Sequence, residues 1–109
     1  MDILFASENL ERLCLDDALA RRALWNMCAQ KLRARLDDLR AAVNLGYVPR
    51  LPGRFHPLPV ESPQYFALHL DTGRLLVLEP VCATLPNLKG GSWNLSQVTT
   101  VRVMDIRAT

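Results

Sequence analysis

The chain has 109 residues, with thirteen Lys and Arg against eleven Asp and Glu, so its net charge is only +2. Half of its residues are apolar and 22% are charged, the balance of an ordinary globular domain, and one domain spanning residues 1–109 is expected. That balance excludes a polycation that coats nucleic acid by bulk charge, and no apolar run is long enough for a membrane helix.

The first stretch, MDILFASENLERLC, has no basic segment ahead of an apolar one. No secretory leader is expected, and a cytoplasmic location follows. "DILF" (Asp2 to Phe5) reads as a first strand. Ser7 is a good N-cap for a helix through "ENLERLCLDD", with Leu10, Leu13 and Cys14 as its apolar side. A longer amphipathic helix is expected next, because Leu24, Cys28, Leu32, Leu36, Leu39 and Val43 recur every three or four residues. Arg21, Arg22, Arg33, Asp37 and Arg40 lie largely off that stripe. Asn44 and Gly46 are the expected stop.

All seven prolines fall between residues 49 and 86, so no helix is expected there. "YFALHL" alternates, with Phe66, Leu68 and Leu70 on one face and Tyr65, Ala67 and His69 on the other. "DTG" is a turn and "RLLVLEP" a second strand, which makes a hairpin. "VTTVRVMDI", rich in β-branched residues, is the last strand. Trp25 and Trp93 read as packing residues. The fold class is therefore α+β: an N-terminal strand, two helices, then a three- to four-stranded antiparallel sheet with one face open.

Cys14, Cys28 and Cys82 are far apart and form no C-x-x-C pair, so no metal site and no cofactor is expected. They read as reduced thiols, Cys14 and Cys28 at apolar helical positions. The best candidate constellation is in "RFHPL". If it is extended, Arg54 and His56 point to one face and Phe55 to the other. Arginine donates to phosphate in pairs, and histidine moves protons near neutral pH. A surface arginine beside a hydrogen-bonded histidine is the plain alternative.

Five segments together resemble one family. They are Ile3, Leu4, Phe5, Ser7, Leu10, Glu11, Leu13 and Cys14 at the start; "KLRARLDDLRAAVNL"; "LPGRFHPL"; "LEP"; and "GGSWNLSQVTTVRVMDI". In this colinear set the chain resembles the HigB-type toxins of the RelE/ParE toxin–antitoxin superfamily. The resemblance implies a compact α+β toxin that cleaves mRNA on the ribosome without metal and is neutralised by a cognate antitoxin, a helix-turn-helix protein. Other members inhibit gyrase instead, so a non-catalytic toxin or an inactive binding relative is the alternative. The implied catalytic set is Arg54, His56 and Arg74. Arg50, Tyr65, His69, Arg102 and Arg107 are the candidate RNA contacts.

The chain departs from the family in two places. The family's arginine before Phe-Glu-Pro falls at Leu75, so Arg74 is one residue early and points to the other face unless a bulge near Asp71-Thr72-Gly73 restores it. The family's terminal Tyr and His are replaced by Arg107, Ala108 and Thr109. Arg102 has a second expected role, as a cross-strand partner of Glu79 or Asp105.

Overall fold

The computed structural model describes residues 1–58, 65–71, 73–81 and 94–108. Along the chain run β1 (Asp2–Phe5), α1 (Glu8–Leu15), α2 (Asp17–Ala41), a 3-10 turn (Leu45–Arg50), β2 (His56–Leu58), β3 (Tyr65–Asp71), β4 (Arg74–Pro80), a second 3-10 turn (Leu95–Gln97) and β5 (Thr100–Ala108). Trp93 and Cys82 lie outside the described residues.

The α+β layout matches the expectation, but the sheet has five strands in the order β1-β5-β4-β3-β2, and it is mixed. β1 joins β5 in parallel, with Asp2 opposite Thr100 and Phe5 opposite Val103. The other three pairings are antiparallel. A tight turn forces its two strands to run antiparallel, whereas strands joined by a long connection are free to align. Here the connection from β1 to β5 carries both helices.

Side-chain caps set the helix ends. Ser7 accepts from the Leu10 backbone N–H at 3.2 Å. Asp16 is extended and closes one helix while opening the next. Its N–H donates to the Arg12 carbonyl at 2.8 Å, and its carboxylate accepts from Leu19 N–H at 3.1 Å. A side-chain acceptor at an N-cap satisfies an otherwise orphaned donor, so α1 stops at Leu15 rather than running on through Asp17. The Met1 ammonium donates to the carbonyls of Leu39, Arg40 and Ala42 at 3.2, 3.0 and 2.6 Å, a cation placed at the negative end of α2.

Leu24, Cys28, Leu32, Leu36 and Leu39 are buried as their period requires. They pack on Leu68, Leu70, Leu76, Leu78, Val101 and Val103 of the sheet. Val43 breaks the pattern and is 70% exposed. The helix ends at Ala41, so Val43 no longer follows the helical rotation, and Ala42 and Leu45 fill the core instead. Trp25 is also not a packing residue. It is 78% exposed and interrupts α2 with φ 68° and ψ 159°, a conformation that costs a bulky L-residue free energy. Among the described residues no helix is long and apolar enough to cross a membrane.

Candidate functional site

Register and alternation fix the sheet face turned away from the helices. His56 lies opposite Ala67 and Leu58 opposite Tyr65. His69 lies opposite Leu75, and Ala67 opposite Val77. Tyr65, Ala67 and His69 therefore share a face with His56, as the alternation of "YFALHL" implies. Phe66, Leu68 and Leu70 face the core, and Phe55 stacks on Phe66 with ring centroids 4.9 Å apart.

His56 and His69 come together on that face, with ring centroids 5.3 Å apart and planes tilted by 45°. They are diagonal neighbours across the β2–β3 pair, within reach for long or aromatic side chains. Ala67, directly opposite His56, is small and leaves the two rings in contact. His56 Nδ1 lies 2.9 Å from the Arg54 carbonyl oxygen. A carbonyl only accepts, so Nδ1 carries the proton and Nε2 is left for proton transfer.

Arg54 arrives differently from expectation. β2 begins only at His56, and Arg54 has φ 52°, in the left-handed region. It does not alternate with His56 along one strand. The turn is held by Gly53, at φ +121°, whose carbonyl accepts from His69 N–H at 2.6 Å. Arg54 then lines a cavity of about 310 Å³ with His69, Lys31, Arg35, Gly53, Leu70 and Asp71. The cluster is thus Arg54, His56 and His69, and sequence alternation missed the Arg54–His69 neighbourhood because the turn creates it.

The pKa of His69 is lowered, first by partial desolvation and then by the charges of His56 and Arg54. A depressed histidine pKa means that the unfolded chain takes up its proton first as pH falls. Its contribution to stability is therefore present above the ordinary histidine range, about 6.5, and declines as pH drops through that range towards the folded value. Replacing Arg54 by methionine removes one positive charge. The His69 pKa is expected to rise towards the ordinary value, read by NMR titration of the ring resonances; an unmoved titration would show that Arg54 does not act on His69.

The other candidates fall elsewhere. Arg74 lies on the helix side of β4: Leu75 opposes His69 and Arg107, so Arg74 shares its face with the buried Leu76 and Leu78. There it lies opposite Asp71 and acts electrostatically on Cys28. A register shift does occur between His69 and Asp71, but it leaves Leu75, not Arg74, beside the histidines. Arg102 is on the open face and donates to Glu79 at 2.7 Å, which satisfies the cross-strand expectation. Arg107 is paired with Asp105 at 3.4 Å. Arg50 sits in the first 3-10 turn, its guanidinium 5.9 Å from the Tyr47 ring centroid. Tyr65 is half-buried at the other end of β3, on the same face as the histidines.

Two features of this region were not singled out in the sequence. Arg35 is only 7% exposed. Its Nη1 donates at 3.0 Å to both Asp38 and the Pro52 carbonyl, while its buried Nε has no hydrogen-bond partner among the described residues. A buried donor left unsatisfied costs about 1–3 kcal/mol, more when charged. Lys31 stands one helical turn away on the same cavity wall. The signal for both was their spacing, i and i+4 on α2, which the general basicity of that helix hid.

Burial pushes the thiols of Cys14 and Cys28 up to about 11, and neither is an activated nucleophile. Among the described residues, no three His, Cys, Asp or Glu side chains gather to hold a metal ion. No protein-family model, curated protein or solved structure matches the chain.

Proposed function

We propose that the protein is the toxin of a type II toxin–antitoxin pair, a metal-independent endoribonuclease acting on mRNA at the ribosome in the cytoplasm and neutralised by a helix-turn-helix antitoxin. The observation that carries this reading is the His56–His69 pair, rings 5.3 Å apart, with Arg54 beside it. The resemblance of five colinear segments to HigB-type toxins supplies the target.

RNA cleaves itself when a 2′-oxygen attacks the adjacent phosphorus and the bond to the 5′-oxygen breaks. The reaction needs a base for the 2′-hydroxyl proton, an acid for the leaving oxygen and a cation for the charge at phosphorus. His69, with its pKa lowered, has the neutral form a base requires. In its doubly protonated form His56 keeps its Nδ1 proton on the Arg54 carbonyl and gives its Nε2 proton to the leaving 5′-oxygen, ending as the neutral ring. Two histidines in unlike surroundings divide the roles in this way. Arg54 holds the phosphate, and Tyr65 offers a face for base stacking.

A second reading has its own support. Arg74 is on the wrong side of the sheet, and Arg102 is neutralised by Glu79 at 2.7 Å. One expected cation is therefore missing from the open face and a second is neutralised there, as suits a toxin that blocks a protein such as gyrase or an inactive relative that only binds a partner.

The test is inducible expression in a bacterium, with growth and mRNA 5′ ends followed together. Arrest with new ends inside translated codons is expected. His56→Ala should then reduce cleavage by about 10²–10⁴-fold, the usual contribution of a general acid or base. Arrest that persists without new ends would turn the assignment to a protein target.

A further inference from the structure

We propose that the cavity between α2, the Gly53–Arg54 turn and the end of β3 is a binding site for a phosphate dianion. The ligand is the terminal phosphate of a nucleotide or free inorganic phosphate. The site shares Arg54 and His69 with the nuclease proposed above and rests on that reading only to that extent.

Four observations converge on this pocket. Lys31, Arg35 and Arg54 place three cations around one space of about 310 Å³, at the small end of ligand cavities. Asp71, the one acid among the described lining residues, accepts from Gly73 N–H at 2.9 Å and lies opposite Arg74. Arg35 is itself nine-tenths buried and pinned through Nη1 to Asp38 and Pro52, which fixes its positive charge at the cavity wall. Finally, residue 53 has no side chain. A Cβ there would stand 3.0 Å from Arg35 Cδ and 3.5 Å from Arg35 Nε, so glycine keeps the guanidinium edge from being covered.

An anion answers each of these. Arginine's planar fork and a phosphoryl group's several oxygens match in geometry. Lys31, exposed on the next turn of α2, adds a mobile point charge. His69 lines the same cavity. Asp38, the remaining acid near Arg35, holds Nη1 and does not line the cavity. A purely structural Arg35 would explain the bonds to Asp38 and Pro52, but not the two further cations on the same cavity.

The experiment is calorimetric titration of the full chain, in chloride buffer, with inorganic phosphate and separately with adenosine 5′-monophosphate. The native chain is expected to bind both. Lys31→Gln, a surface change that leaves the core alone, is expected to weaken binding about tenfold, the loss of one charge-assisted contact. Arg35→Lys is expected to weaken it further, with circular dichroism showing whether the fold is retained. Arg21→Gln, an exposed change on α2 at a residue paired with Asp17 and outside the cavity, should bind as the native chain does. Tighter binding of the nucleotide assigns the site to a nucleotide phosphate, and equal binding assigns it to the free ion. No binding by the native chain, or equal binding by native and Lys31→Gln chains, overturns the proposal. Weakened phosphate binding in Lys31→Gln with RNA cleavage unchanged keeps the two assignments separate.

Discussion

Leu76→Ala is expected to cost about 2–5 kcal/mol, a large part of the 5–15 kcal/mol that holds a domain of this size together. Leu76 lies on β4, flanked by β5 and β3. It is 0% exposed, with Leu68 opposite on one side and Ile106 on the other. The buried leucines of α2 belong to the same core cluster. Truncation removes the transfer free energy of three carbons and leaves a cavity that a sheet bonded on both sides closes poorly. In urea the midpoint should fall with the slope unchanged. On heating, each lost kcal/mol should lower Tm by about 4–8 °C. A loss below 1 kcal/mol would mean that the core relaxes freely at this point and that β4 is not its centre.

Gly53→Ala is the second large effect, and it reaches the functional face. At φ +121° an L side chain is strained wherever space allows it. Here space is also short, with 3.0 Å to Arg35 Cδ and 3.2 Å to Leu68 Cδ2. Strain alone costs about 1–3 kcal/mol, and the contacts add to it. Relief requires the turn to lift away. That would break the 2.6 Å bond from His69 N–H to the Gly53 carbonyl and remove Arg54 from the histidines. Lower stability should therefore appear together with a His69 pKa returning towards the ordinary value. A destabilised variant with unaltered His69 titration would show that the turn and the histidine pair are independent.

Much of this architecture is legible in the sequence, for identifiable reasons. The stripe from Leu24 to Leu39 and the alternation of Phe66, Leu68 and Leu70 are periodic, and period is what a buried face imposes. Ser7 announces its helix through a local hydrogen bond. What is not legible depends on geometry beyond the nearest neighbours. The parallel partner of β1 lies at the far end of the chain. The left-handed backbone at Trp25 and Arg54 follows no rule of composition, since neither residue favours positive φ. The site shows the same division. His56 and His69 could each be placed on the outward face by alternation, but their meeting required the β2–β3 register. Arg74 stands one position before Leu75, and one position is the whole difference between two faces of a sheet.

The pairing of β1 with β5 also dictates an order of events in time. Asp2 meets Thr100, 98 positions later (100 − 2). A chain emerging from the ribosome at about 5–20 residues per second makes its first strand and both helices several seconds before their partner exists. Through that interval Ile3, Phe5 and the leucine side of α2 have no β5 to cover them. Contacts this distant in sequence are slow to form because loop closure precedes any gain. The nascent protein thus passes through a state in which the helices and β1 are made but the edge of β1 is unpaired. The last strand, "TVRVMDIRA", inserts between β1 and β4 and completes the core.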